Sequence, residues 1–484
     1  MKNMTESYQH SPFLTDFYEF TMAYAYFKQG RHEDVAYFDM FVRTLPDQGG
    51  YMIFNGLNQL IEHITNFRFS EHDLSRLKQR LNCDDAFINY LREMRLSLDI
   101  WSMEEGTVVF NNEPLVTVRG PLIQTQLIES MLLLSINFPT LISTKARRMV
   151  EAAQGRDIIE FGIRRAQGID AAVEGARAAY IAGCIGTSNM YAGDKYSIPV
   201  FGTMAHSYIQ LFKSEYDAFK AYTTLYPDQA VLLVDTYDTL RSGVPNAIRV
   251  ANEVLKPLNK NLRGIRLDSG DLAYLSKKAR DLLNAAGLKD VKIVASNALD
   301  ENLIDDLIDQ DACIDIFGVG ENLITARSQA VLGGVYKLVA YEENDRLTST
   351  IKLSENIDKI TNPGFKKVVR FYDKDHRKAL GDCLFMHDEE VPTDGFILFD
   401  PLAPWKTKQL NNYTTRVLQV PIFRQGELVY SIKSTEETRL YCLNEIDTLW
   451  DEVKRLRNPH KYYVDLSPTL YELKNSLIEN IRKK

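Results

Sequence analysis

Between residues 156 and 341 the chain repeats one arrangement: a short apolar run, a tip of polar or charged residues, then a helical stretch. The runs with their tips are RDIIEFGIRR (156–165), GCIGTSN (183–189), PVFGTMAHS (199–207), AVLLVDTYD (230–238), LRGIRLDSGD (262–271), VKIVASNA (291–298) and CIDIFGVGEN (313–322), and GGVYKLVAY (333–341) follows as a further strand. They recur roughly every 20–35 residues, as successive strand–helix units of a parallel sheet do. About eight such units imply a closed TIM-like α/β barrel, which gathers its functional groups at the C-terminal ends of its strands. An open doubly wound sheet is the competing architecture. It normally carries one Gly-rich dinucleotide turn near its start, and no GxGxxG occurs here.

The flanks read differently. TDFYEFTMAYAYFKQG predicts a helix that Thr15 caps and Gly30 ends, and VAYFDMFVR alternates as a strand does. Residues 121–153 predict one or two helices broken near Pro139. The apolar stretch Met131–Thr144 within them is too short and too interrupted to span a bilayer. Beyond 342, FKKVVRFYDKDHRKALGDCLFM predicts a hairpin. Two tail helices follow, one carrying Leu443, Ile446, Leu449, Trp450, Val453 and Leu456, the other starting at Ser467-Pro468. The expected domains are thus a mixed α+β domain over 1–125 (completed by part of 342–400), a catalytic α/β barrel over 126–341 and a hairpin-and-helix extension over 342–484.

Five scattered cysteines without a CxxC pair favour reduced thiols and a cytoplasmic protein over a disulfide scaffold or a zinc site. A net charge of −8 argues against nucleic acid or an acidic membrane as the main partner.

The tips hold two chemistries. Arg164, Arg165, Thr187, Ser188, Thr203, Ser296, Gly318 and Gly320 suit phosphate, through guanidinium forks, hydroxyls and bare backbone N–H groups. Asp235, Asp238, Asp268 and Asp271 suit Mg²⁺, a sugar hydroxyl or a developing positive charge. For any one tip residue, a helix cap or strand-end ion pair is the plainer explanation, above all for Thr187, Asp238 and Asp271. The tips taken together favour a phosphorylated sugar with a metal ion. Of eight histidines, only His206 stands at a strand-to-helix junction in the middle of the chain. Lys337 lies within a strand, where a Schiff-base role competes with a plain salt bridge. TNPGFKK (361–367) reads as a Pro-Gly turn. HExxH, GxSxG and GxxxxGK[ST] are all absent.

Seven of these motifs, EFGIRRAQG, GTSN, FGTMAHS, IRLDSGDL, ASNALDE, FGVGENLITA and GGVYKLV, preceded by LTDFYEFTMAYAYF, closely resemble the nicotinate phosphoribosyltransferase family in the family's order, over residues 11 to about 370. The resemblance implies an atypical α/β barrel with a mixed N-terminal domain and a C-terminal extension, in a homodimer whose partner's N-terminal domain completes each site. It implies that nicotinate and 5-phosphoribosyl-1-pyrophosphate give nicotinate mononucleotide and pyrophosphate, coupled to ATP hydrolysis, with Mg²⁺ expected.

By the same resemblance, His206 is the histidine that ATP phosphorylates. Tyr18, Thr203, Arg164, Ser188 and Arg266 face nicotinate, with Tyr18 delivered across the dimer. Asp268 lies beside the ribose, and Gly318, Gly320, Glu321 and Ser296 lie at the phosphates. Asp268 and Asp235 are the candidate Mg²⁺ ligands. Relatives that use nicotinamide have an aspartate at the position of Ser188. A serine hydroxyl can donate to a carboxylate that an aspartate would repel, so Ser188 favours nicotinate. The rival activities are nicotinamide phosphoribosyl transfer, a barrel lyase using Lys337, and a non-catalytic phosphosugar-binding barrel.

Overall fold

The computed structural model describes residues 11–344, 346–356 and 359–483. They divide into two compact units: residues up to Leu141 together with Val331 onward, and Ile142–Ala330.

The first unit is built on a seven-stranded antiparallel sheet, in the order Arg346–Ser349, Gly334–Glu343, Val35–Val42, Val116–Pro121, Asp99–Met103, Gln419–Arg424 and Glu427–Leu428. Strand Val35–Val42 forms where the alternation predicts it, but seven of its eight residues are buried. The expected hairpin is present as Lys366–Asp373 paired with Ala379–Met386. Across its two strands Arg370, fully buried, holds Asp382 at 2.7 Å, and the Tyr462 hydroxyl donates to the same carboxylate at 2.9 Å. A buried guanidinium is tolerated only when paired in this way.

Three local expectations change. Helix Phe17–Lys28 is preceded by Asp16, which gives no side-chain cap, while the Thr15 hydroxyl donates to Glu19 instead. The first tail helix stops at Asp447. Asp451–Lys454 forms a separate turn, so Trp450 and Val453 lie beyond the helix end, whereas Pro468–Arg482 starts on its Ser467 cap as read. Pro139 does not break its helix, which runs unbroken over Glu129–Ala152. Proline removes one intrahelical bond, here the one to the Ser135 carbonyl. Gly56 approaches that same carbonyl so closely that a Cβ there would lie 2.0 Å from it. With the preceding turn the helical stretch Leu122–Ala152 covers 31 residues, long and apolar enough to cross a membrane, in place of the short segment expected, and 67% of its apolar window is buried in protein.

The second unit holds the repeated motifs. Six runs form a parallel sheet in the order Gly186–Thr187, Asp157–Glu160, Ile316–Val319, Lys292–Ser296, Gly264–Leu267 and Val231–Leu233. The run at 199–201 adds one bridge, Val200 to Thr187. The first strand in the sequence pairs with both the second and the last, so the sheet wraps in sequence order. Among the described residues it does not close: no pairing joins Val200 to Val231–Leu233. The expected eighth unit is also absent. Strand Gly334–Glu343 belongs to the first unit, where it pairs antiparallel with Val35–Val42; only the four-residue turn Glu321–Ile324 lies between it and Ile316–Val319, too short for a crossover helix.

Candidate active site

Strand Gly264–Leu267 carries Arg266 near its end, and Asp268 follows one residue beyond the strand. The guanidinium uses three nitrogens. Nε donates to Ser296 Oγ at 2.8 Å, Nη1 to Thr203 Oγ1 at 3.1 Å and Nη2 to Asp268 Oδ1 at 2.7 Å. The Ser296 hydroxyl in turn donates to Asp268 Oδ1. Residues from three separate tips are thereby locked to one planar cation, whose fork geometry fixes direction as well as distance.

Asp235 supports this cluster from the next strand end. Its Oδ2 accepts the Asp268 N–H at 2.8 Å and the Ser269 hydroxyl at 2.6 Å. Its Oδ1 is buried and makes no hydrogen bond. His206 opens the short helix His206–Gln210. Its Nδ1 shares a hydrogen bond of 3.1 Å with Thr236 Oγ1, while Nε2 lies 3.8 Å from Asp268 Oδ2 and 4.0 Å from Asp235 Oδ1. The ring is 40% exposed, open to a ligand. Burial raises the Asp268 pKa, but the Ser296 hydroxyl, the Arg266 cation and the His206 ring outweigh it and hold the carboxyl below its usual range.

Other tip residues are structural. Glu160 is buried and accepts from the Gly162 N–H and from Thr187 Oγ1, the latter at 2.6 Å; burial raises its pKa. Asp238 caps the turn at Leu240 and Arg241, and Asp271 caps helix Leu272–Ala285.

Of the residues singled out in the sequence, His206, Thr203, Asp235, Arg266, Asp268 and Ser296 come together. Gly318 stands in register with Ser296, and a Cβ on it would lie 2.6 Å from the Phe161 ring. Gly320 precedes the turn Glu321–Ile324. Glu321 itself faces Arg165 and Arg327, each at 3.5 Å, outside the Arg266 network. Arg164 is exposed on the turn Ile163–Arg165, and Ser188 is tied by its N–H to the Glu160 carbonyl at 2.9 Å. Neither touches the Arg266 network. Tyr18 belongs to the other unit, where burial and then the Glu129 carboxylate push its phenol up to about 12. Lys337 is there too. Burial lowers its pKa, its Nζ donates to the Tyr336 carbonyl at 2.6 Å, and it is no part of the parallel sheet that a barrel lyase would use.

Two contributors escaped the sequence reading. Thr236 was visible only as a tip hydroxyl, and nothing local marks it as the His206 partner. Phe161 lies with the Arg266 guanidinium carbon 5.7 Å from its ring centre; its place between Glu160 and Gly162 was the available signal.

The arrangement can hold an anion against a fixed cation, set an ionised carboxylate beside an electron-poor carbon and offer a histidine nitrogen to an electrophile. Among the described residues no three His, Cys, Asp or Glu side chains form a ready metal cage. The unpartnered Asp235 Oδ1 and the Asp268 carboxylate do suit Mg²⁺, which takes one or two carboxylates and completes its shell from substrate phosphates.

Comparison with known proteins matches three family models in succession: the nicotinate phosphoribosyltransferase N-terminal domain over 13–137, the nicotinate phosphoribosyltransferase family over 157–359 and its C-terminal domain over 365–474. A nicotinate phosphoribosyltransferase of Bacillus subtilis is 45% identical over 97% of this chain and 96% of its own length. The crystal structure of human nicotinic acid phosphoribosyltransferase superposes with a TM-score of 0.85 at 30% identity, covering 96% of this chain and 99% of that one. A nicotinate-nucleotide pyrophosphorylase from Pyrococcus furiosus shares the fold, with a TM-score of 0.70 at 20% identity over 93% of this chain and 98% of that one.

Proposed function

This chain belongs to the nicotinate phosphoribosyltransferase family and is a phosphoribosyltransferase of NAD salvage acting on nicotinate, and from that premise we propose how its residues divide the reaction. The observation that carries the proposal is the Arg266 fork, bonded at once to Thr203, Ser296 and Asp268, with His206 within 4.0 Å of two carboxylates.

The nicotinate ring nitrogen attacks the anomeric carbon of 5-phosphoribosyl-1-pyrophosphate. The bond from that carbon to the pyrophosphate oxygen breaks, and its electron pair leaves with pyrophosphate. Positive charge grows on the ribose and negative charge on the leaving group. Asp268, kept ionised, stabilises the first. Arg266 and Thr203 orient the pyridine, with Arg164 and Ser188 binding its carboxylate, and Ser296, Gly318, Gly320 and Glu321 lie at the phosphates. Asp235 and Asp268 would hold Mg²⁺, which would neutralise the charge of the leaving group.

ATP is not needed for the displacement itself. It phosphorylates His206: an imidazole nitrogen attacks the γ-phosphorus and ADP departs. Water later cleaves the phosphoryl–nitrogen bond and releases phosphate. A phosphate group beside Arg266 and the carboxylates changes the local charge, so that substrate binding and product release alternate with the phosphorylation state.

The fold is an atypical, incomplete barrel, open among the described residues between Val200 and Val231. The wrapped strand order, first strand against last, supports it. A homodimer that shares its sites is supported by the exposed Ile169, Met190, Tyr191 and Leu211 and by Tyr18, exposed on the other unit. The free cysteines fit a cytoplasmic enzyme.

The test is to incubate the protein with nicotinate, 5-phosphoribosyl-1-pyrophosphate and Mg²⁺, with and without ATP, and to follow nicotinate mononucleotide. ATP should accelerate the reaction and be hydrolysed with it. Product from nicotinamide alone would overturn the assignment. Mixing Tyr18→Ala with His206→Ala chains should restore ATP-stimulated transfer that neither has alone if sites are shared.

A further inference from the structure

The catalytic groups occupy one end of the parallel sheet. At the other end, around the first residues of strands Asp157–Glu160 and Lys292–Ser296, opens a cleft of about 490 Å³ lined by Arg156, Asp157, Arg280, Lys292, Cys313 and Asp315. Lys292 and Ser296 begin and end the same strand, so at ~3.3 Å per residue the cleft lies roughly 13 Å from the Ser296–Arg266–Asp268 cluster. Its volume is that of an ordinary small-molecule pocket.

Its charge is arranged for an anion. Asp315 is already neutralised: Oδ1 lies 3.0 Å from Lys292 Nζ, and Oδ2 lies 3.2 Å from Arg280 Nη2 and accepts the Ile293 N–H at 2.9 Å. Arg280 is pinned by the Lys289 and Val291 carbonyls. Arg156 is anchored through Nε to the Ile314 carbonyl at 3.0 Å, which leaves Nη2 free of hydrogen bonds among the described residues. Three cations face two carboxylates, a local excess of positive charge on a chain of net charge −8. Lys292 Nζ, spending one N–H on Asp315, keeps two donors beside the anchored guanidinium edge, and such a pair binds phosphate oxygens.

We propose that this cleft is a second ligand site, which takes a phosphate monoester or free phosphate on Arg156 and Lys292, apart from the site of phosphoribosyl transfer. Occupancy covers Cys313, and that thiol reports on it, since the other four cysteines are buried.

The experiment follows alkylation of Cys313 by peptide mass spectrometry in the presence of AMP, inorganic phosphate or adenosine. AMP should slow alkylation several-fold, less so as salt rises, and adenosine should not. Equal protection by inorganic phosphate identifies free phosphate as the ligand, and weaker protection identifies a monoester. Lys292→Glu, a change at a largely exposed side chain, should abolish protection while nicotinate transfer stays within about twofold of the parent. His206→Ala should keep the protection. Equilibrium dialysis of labelled phosphate provides a second readout: a site lost in Lys292→Glu and kept in His206→Ala. The proposal is overturned if neither phosphate-bearing probe protects Cys313 or binds in dialysis. It is equally overturned if Lys292→Glu leaves both unchanged, or if His206→Ala removes them.

Discussion

Arg266 and Asp268 stand two residues apart in the chain, yet their side chains meet at 2.7 Å, and Ser296 from the neighbouring strand bonds to both. The ion pair is partly exposed, so its worth lies less in stability than in direction. It aims one carboxylate and one guanidinium into the same space and keeps the carboxylate charged.

Ser296→Ala removes the hydroxyl that most strongly offsets burial at Asp268. A lowered carboxyl pKa means that the ionised form survives acidification, and that any stability it adds is present above the unfolded value and lost as pH falls through the folded one. Without Ser296 the Asp268 pKa rises. The acid limb of the kcat/KM profile should therefore move to higher pH, with the plateau reduced about tenfold. An unmoved acid limb would separate that limb from Asp268.

His206→Ala should abolish ATP hydrolysis and its stimulation of transfer, while slow ATP-independent formation of nicotinate mononucleotide persists. The reason is that bond formation rests on Asp268 and Arg266, not on the imidazole. Parallel assays of ADP and nucleotide release decide this. ATP coupling retained in the variant would remove His206 from the role.

Ser188→Asp should set a carboxylate against the nicotinate carboxylate and give nicotinamide an acceptor. The ratio of kcat/KM for nicotinate over nicotinamide should fall by about 10²-fold, or about 2.7 kcal/mol of discrimination. Competition between the two bases in one reaction measures it directly. An unchanged ratio would place the specificity elsewhere.

Thr187→Val tests a residue whose hydroxyl supports the fold. It strips one hydrogen bond from the buried Glu160 carboxylate and another from the Asn189 N–H. The variant should lose about 2 kcal/mol of stability in denaturant unfolding, because a buried acceptor without a partner bears its full desolvation cost. A midpoint matching the parent would show that Glu160 finds another donor.

Local order was plain in the chain itself. Alternation placed Val35–Val42, the hairpin 366–386 was legible too, and the recurrent tips marked every strand of the parallel sheet and the five residues His206, Thr203, Asp235, Asp268 and Ser296 that gather with Arg266. These features rest on side-chain periodicity and on residue types suited to phosphate, which do not depend on distant partners. What depends on such partners was decided by the tertiary structure. Nothing near 334–343 says whether that strand joins a parallel sheet or lies antiparallel to Val35–Val42, because either face could be buried. Pro139 reads as a break, but the helix continues through it with Gly56 packed against the carbonyl it leaves unbonded. Tips of one composition were sorted only by burial and by the donors each met. Asp238 and Asp271 turned to their own helix starts and Thr187 to Glu160, while Asp235 and Asp268 faced His206. Sequence thus set the kinds of groups available, and packing, which chooses among equally suited partners, set which of them act together.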